Sequence, residues 1–270
     1  MKRRLLLLGP WVLLLALVAF AYRWQLDLGI TDTDGLADVA AGGRPLLHQL
    51  TMPLLDGVGG DNANFFRPMV NLQNWMLRRL FGWNAVGWQA WDLGLHLVCV
   101  VLVGLVGRAA GLRPHPALAA AAIAGLHPLG VDLVPAVARN IDLLLAVFVL
   151  LAFLAVLNDR PLLASALALL ALGTKETGLA MMPLLAWLAW KRQGRPGLAR
   201  AVAPWVLAVP AFLLVRQRVL AGLGGYRDEA IHLEGFERVG RSAALELLAP
   251  ALSMPLGRLF TEWPSQLAVG

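Results

Sequence analysis

The sequence predicts an all-α fold, a polytopic membrane helical bundle with about seven transmembrane helices. Hydrophobic residues make up 59% of the 270 residues and charged residues only 15%, whereas a water-soluble domain averages roughly half apolar and a quarter charged. The basic residues fall in short clusters between long apolar runs. That arrangement is typical of membrane-protein loops and not of a nucleic-acid-binding surface, so we predict a membrane protein with no nucleic-acid partner.

The predicted helices follow the apolar runs. A basic N-terminus precedes the run at residues 5–22, which is long enough to cross a hydrocarbon core of roughly 30 Å. We predict an uncleaved anchor here, since Arg23 and Trp24 stand where a signal peptide needs small residues. Further helices are predicted at residues 88–107, 116–126, 141–157, 162–172, 179–190 and 201–215.

Two polar intervals complete the predicted organisation. Residues 23–87 form a long first extracytoplasmic loop whose aromatic and basic second half predicts helices lying in the membrane interface. This half would hold a lipid tail or act only as an interfacial anchor. The transmembrane core then covers residues 1–220, and residues 221–270 form an extracytoplasmic amphipathic tail or the start of a C-terminal region.

Loop charges predict the orientation. If the N-terminus is cytoplasmic, then the loops with Arg108, Arg113, Arg160 and residues 191–200 are cytoplasmic too. Each of them obeys the positive-inside rule. The remaining polar motifs then lie together on the extracytoplasmic face of what we predict to be a bacterial inner membrane.

The segment at residues 126–142 places His127, Asp132, Arg139 and Asp142 between two apolar runs without charges. Ionisable side chains at the end of a membrane helix are costly unless they are paired, hydrated or functional. The segment therefore predicts a site at the membrane surface. The alternative is a solvated loop with a capping aspartate.

Five motifs follow one another along the chain in an order typical of a known family. They are Asp32 and Asp34; Phe66, Arg67, Pro68 and Asn71; His96; Leu126, His127, Pro128, Asp132, Arg139 and Asp142; and Lys175 with Glu176. The ordered set resembles the GT-C superfamily of polytopic membrane glycosyltransferases. It is most similar to the protein O-mannosyltransferase and aminoarabinose-transferase branch and to the membrane part of tetratricopeptide-repeat mannosyltransferases.

The resemblance covers roughly residues 32–226 and has two departures from the family pattern. Asp132 stands where that branch usually has Glu, and Thr33 separates the two acidic residues that are usually adjacent. Family members also usually continue for several more membrane helices. We therefore expect a minimal core, a fragment or one half of a split protein.

The resemblance implies transfer of a sugar from a polyprenyl-phosphate donor to a hydroxyl of a lipid, polysaccharide or protein. Asp34 and Asp32 are then the candidates for the general base. The alternative for both is a turn in which they bond nearby backbone amides.

Cations are needed to hold the departing phosphate, which suits the planar fork of Arg and the point charge of Lys. Arg139 and Lys175 are the first candidates, with Arg67 and Arg216 second. The alternatives are ion pairs, of Arg139 with Asp132 or Asp142 and of Lys175 with Glu176.

Supporting roles fall to His127, His96, Asp132, Asp142 and Glu176. No cofactor is required by the sequence, although some GT-C enzymes use a divalent metal and the two histidines with a carboxylate are candidate ligands. The five histidines of the chain show no i, i+4 ligand spacing, so a hydrogen-bonded structural His127 is favoured. Glu176 is alternatively a cap for the helix that follows.

Two other functions fit the same residues. A transporter or flippase would use Arg139 and Lys175 to hold a lipid-linked phosphate without chemistry, although the matching halves typical of transporters are not evident. The other is a catalytically inactive membrane scaffold. The glycine-rich 222–226 segment follows an apolar helix and not a strand, so it predicts a helix end and no nucleotide site.

Overall fold

The structure is a computed structural model that describes residues 2–30, 32–54, 63–220 and 225–226. The chain divides into two units, Met1–Gly225 and Tyr226–Gly270. The predicted tail at 221–270 lies outside the described residues, apart from 225–226, and stays a prediction.

The described part of the chain is α-helical apart from two strands of two residues each. Its helices are α1 (Lys2–Tyr22), α2 (Thr33–Ala41), α3 (Leu46–Thr51), α4 (Pro68–Phe81), α5 (Ala85–Ala109), α6 (Pro114–Leu126), α7 (Gly130–Leu133), α8 (Asn140–Leu157), α9 (Pro161–Thr174) and α10 (Gly178–Leu220). Two 3₁₀ turns cover Arg23–Asp27 and Val137–Arg139, and the strands are β1 (Ala63–Asn64) and β2 (Gly225–Tyr226).

Four helical segments of the described chain are long and apolar enough to cross a membrane. They are Gly9–Asp27, Ala85–Ala109, Val137–Leu157 and Gly178–Leu220. Two shorter apolar helices, α6 and α9, accompany them. The all-α prediction with long apolar helices is therefore confirmed.

Helix α10 is a hairpin of two arms. Gly194 interrupts it with φ 66° and ψ −156°, a conformation that glycine adopts without a Cβ clash. Arg216, near the end of α10, bonds Glu176, just before its start, at 2.6 Å. In a straight helix these residues would be roughly 60 Å apart at 1.5 Å per residue. The second arm therefore returns alongside the first. The sequence predicted two helices joined by a basic loop, and in the structure that connecting segment is largely helical.

Small residues let α8, α9 and both arms of α10 pack closely. Ala155, Ala168, Ala189 and Ala201 are all buried in one core cluster, and close backbone approach through small side chains is how membrane helices associate. Trp205 of the second arm joins this cluster, and its indole N–H donates to the Ser165 carbonyl at 3.2 Å.

A second cluster joins α1, α5 and α6. Val18, Val100 and Ala121 are fully buried in it, and α1 packs against both other helices. A Cβ on Gly125 would lie 2.8 Å from side-chain carbons of Val18 and Val100. Glycine there is what allows α6 to approach its neighbours this closely.

Helix α4 lies in the interval predicted to be interfacial, and it buries polar side chains. Asn71, Gln73 and Asn74 are at most 5% exposed, and α4 packs against α2 and α3. The Asn71 amide donates to the Gln49 carbonyl of α3 at 2.9 Å. A polar part of the surface of α4 therefore faces the protein, and its position in the membrane interface stays a prediction.

Candidate functional site

Five of the predicted site residues meet at one end of the bundle. Lys175 Nζ lies 2.5 Å from Asp142 Oδ1, and the next residue, Glu176, pairs with Arg67 at 3.1 Å and with Arg216 at 2.6 Å. We call these five residues the charged cluster. It joins the start of α8, the connection from α9 to α10, the segment before α4 and the returning arm of α10.

Glu176 bridges two arginines that are distant in sequence. Its Oε2 accepts from Nε and Nη2 of Arg67 at 3.3 and 3.1 Å, and its Oε1 accepts from Nη1 of Arg216. Burial raises the pKa of Glu176, but Arg67, its own backbone amide and Arg216 together hold that pKa below its usual value. Glu176 therefore stays ionised at neutral pH and acts as a bridge between the two arginines. The two arginines with one carboxylate leave this group with a net positive charge.

The partners of Lys175 and Arg139 differ from those that the sequence suggested. Lys175 pairs with Asp142 and not with Glu176. Arg139 is exposed and makes no ion pair with a carboxylate of the described residues. It ends the 3₁₀ turn that packs against α2, which brings it to the helix of the predicted base.

The two acidic residues predicted as base have different environments on α2. Asp32 is the N-cap, and its side chain accepts from the Gly35 backbone N–H, so the turn-forming alternative describes this residue. Asp34 is in the first turn, where its charge favours the helix dipole. It is exposed and is the carboxylate of the two that a substrate can reach.

Asp38 was missed at the sequence level. It is 5% exposed, and its Oδ1 accepts from the Asn74 amide at 2.7 Å. Burial and the charges of Asp32 and Asp34 raise its pKa to about 8, against the lowering effects of Asn74 and Arg67. Asp38 is therefore mainly protonated at neutral pH. The signal available in the sequence was its position four residues after Asp34, one helical turn away.

The electrostatic effect of Arg67 on Asp38 links the charged cluster to α2. Arg67 thus lowers the pKa of Asp38 on the acidic helix α2 while it pairs with Glu176. A cationic group and the exposed carboxylate of Asp34 consequently lie at the same end of the bundle.

His127 and His96 belong to a different neighbourhood. The His127 ring Nδ1 accepts from the Leu129 N–H at 3.2 Å, and its carbonyl accepts from the Tyr22 hydroxyl at 3.3 Å. His96 is 6% exposed and its Nε2 donates to the Gly125 carbonyl at 3.0 Å. These three contacts stabilise the end of α6. Asp132 lies close by in sequence, in α7, and is exposed.

In the described ranges, no three His, Cys, Asp or Glu side chains are grouped so that they could hold a metal ion. His127 and His96 are each engaged by the backbone. Within the described part of the chain, these two histidines therefore do not form a ligand set for a divalent metal.

No protein-family model matches the chain, and no curated protein or solved structure matches it either. The fold and the site define a class of protein. It is a helical protein with four candidate membrane spans and with a charged cluster at one end of its bundle.

Proposed function

We propose that the chain is an integral membrane glycosyltransferase. It transfers a sugar from a polyprenyl-phosphate donor to an acceptor hydroxyl of a lipid, polysaccharide or protein at the extracytoplasmic face. The observation that carries this proposal is the convergence of Arg67 and Arg216 on Glu176 beside the acidic helix α2. The motif order that resembles the GT-C superfamily agrees with it.

The arginine pair suits the donor phosphate. Both guanidinium groups are directed at one carboxylate, and their side chains are 13% exposed, so they are held in place before a ligand arrives. Phosphate oxygens accept from such forks as carboxylate oxygens do. Arg139, which makes no ion pair with a carboxylate of the described residues, adds positive charge at the same end of the bundle, where Lys175 is paired with Asp142.

The reaction needs a base and a stabilised leaving group. The acceptor oxygen attacks the anomeric carbon, its proton passes to Asp34, and the bond from that carbon to the phosphate oxygen breaks. Negative charge then develops on the polyprenyl phosphate, where fixed cations lower the barrier. Asp34 is the base because it is exposed at the start of α2, whereas Asp32 caps that helix.

We expect seven crossings, by α1, α5, α6, α8, α9 and the two arms of α10. The return of α10 at Gly194 supports two crossings for its 43 residues. Arg160 precedes α9 and Arg192 lies two residues before Gly194, each at the opposite end of its helix from the charged cluster. Arg108 is in the last turn of α5, and Arg192 pairs with Asp159. By the positive-inside rule that end is cytoplasmic and the cluster is extracytoplasmic.

Thiol labelling of intact cells checks this orientation. In a Cys99→Ala background, we expect a membrane-impermeant thiol reagent to label Leu36→Cys in intact cells. Ala110→Cys should be labelled only after the cells are permeabilised. Both positions are exposed in the structure. The reverse labelling pattern would contradict an extracytoplasmic site.

The test of the function is a transfer assay on the purified full chain with a panel of radiolabelled polyprenyl-phosphate sugars. We expect label to move to a hydroxyl acceptor, and Arg67→Ala to lower the rate by roughly 10²- to 10³-fold, as loss of one charge-stabilising donor does. Arg192→Ala is the matched control, since Arg192 pairs with Asp159 away from the cluster, and it should keep the parent rate. Donor binding without turnover would favour a transporter, and absence of donor binding would refute the proposal.

A further inference from the structure

A buried polar pair joins α5 to α8 apart from the charged cluster. Asp92 is 0% exposed and Asn140 is 1% exposed. The Asn140 amide is a neighbour of the Asp92 carboxyl, and α5 packs against α8. Asp92 follows Ala85 by seven residues, or about 10 Å along the helix axis.

The polar atoms of this pair have no protein partner outside the pair. Both carboxyl oxygens of Asp92 and both side-chain amide atoms of Asn140 are buried, and no other group within the described part of the chain bonds to them. A buried polar group without a partner costs free energy, and an unpaired carboxylate within a membrane helix costs the most. Such a residue is by default a functional one.

Cationic side chains do not compensate Asp92. The cations Arg67 and Lys175 of the charged cluster pair with Glu176 and Asp142. The charged groups that act on Asp92 are acidic, namely Asp38 and Asp32. The described residues around Asp92 therefore do not supply the positive charge that a carboxylate needs in a buried site.

The donor atoms indicate what would supply that charge. Asp92 offers two carboxyl oxygens and Asn140 offers an amide oxygen. Oxygen ligands of this kind select hard cations over transition metals.

We propose that Asp92 and Asn140 bind one small monovalent cation, Na⁺, between α5 and α8. Asp92 is the single acidic side chain of the pair and Asn140 is a neutral amide, so one monovalent ion balances the charge that the pair supplies. Asn140 directly follows Arg139. The ion therefore fixes the start of α8 next to the turn that packs against α2. The site does not depend on the transferase activity proposed above.

Sodium binding and thermal unfolding of the purified full chain in detergent test the site. At neutral pH we expect radioactive Na⁺ to bind. We also expect the unfolding midpoint to be about 3 °C higher in sodium chloride than in choline chloride of equal ionic strength, because an ion bound only to the native state stabilises it. Asp92→Asn keeps the size of the side chain and removes its charge, and it should lose both effects. Asp159→Asn, a partly exposed carboxylate paired with Arg192, is the matched control and should retain both.

Three results would overturn the proposal. The first is an equal midpoint of the parent in both salts, and the second is a sodium shift that persists in Asp92→Asn. The third is a larger shift with magnesium than with sodium at equal ionic strength, because that would require a divalent site. If Asp92→Asn fails to fold, Asn140→Ala keeps the carboxylate and is expected to weaken sodium binding at least tenfold; unchanged binding in that variant would equally refute the site.

Discussion

Replacing Asp34 by Asn is expected to lower the rate of sugar transfer by about 10²- to 10⁴-fold, the usual contribution of a general base. Asp34 is exposed in the first turn of α2, so the substitution leaves the packing of that helix intact. The phosphate-binding cations are unchanged, and donor affinity should therefore stay within a few-fold of the parent value.

Single-turnover rates at saturating donor measure the effect directly, because they separate the chemical step from donor binding. Asp27→Asn is the matched control, since Asp27 is likewise exposed and precedes α2 in the chain. Asp32→Asn tests the other candidate, because Asn is as good an N-cap as Asp and should preserve α2. A full rate in Asp34→Asn with a large loss in Asp32→Asn would transfer the role of base to Asp32.

The second large effect concerns stability and pH. Asp38 has a pKa of about 8 in the folded chain against roughly 3.9 when unfolded. Its folded form is therefore the one that holds a proton more tightly. Between about pH 4 and pH 8, unfolding releases that proton, so the free energy of unfolding falls by about 1.4 kcal/mol for each pH unit of increase. Over the whole window the loss is on the order of 5 kcal/mol.

We expect Asp38→Asn to remove this dependence. The Asn oxygen still accepts from Asn74, and no proton has to be lost on unfolding. The variant should therefore gain stability over the parent as the pH rises towards 8, which denaturant unfolding at several pH values measures. Glu176 does not mask the effect, because its depressed pKa makes its contribution constant above about pH 4.3 and lost only in acid.

Asp132→Asn serves as control, since Asp132 is exposed and its replacement should leave the parent pH dependence unchanged. Parallel pH curves for the parent and Asp38→Asn would mean that Asp38 is ionised or hydrated in the folded protein. The burial of Asp38 would then have to be abandoned as the cause of the pH dependence.

The apolar helices were predictable because their ends are chemically marked. The predicted helix at 141–157 is Asn140–Leu157 in the structure, and that at 162–172 is Pro161–Thr174. An uninterrupted apolar run bounded by polar residues or proline leaves little freedom in where a helix begins or ends.

Side-chain partners were less predictable because they depend on how the helices pack. Glu176 bonds Arg67, 109 residues away, and Arg216, 40 residues away. Helical periodicity in the sequence contains no information about such pairs. The burial of Asn71 and Asn74 on α4 also escaped prediction, since amides are usually exposed unless a partner element satisfies them.

The hairpin at Gly194 makes the position of Arg216 depend on a turn at the far end of the bundle. Twenty-two residues of helix separate the turn from that guanidinium, a length of roughly 33 Å. One residue added to or removed from the turn would rotate the returning arm by about 100°, and another side chain would face Glu176. The length of this connection thus sets the rotational register of the arm, and through it which residue completes the bridge to Glu176.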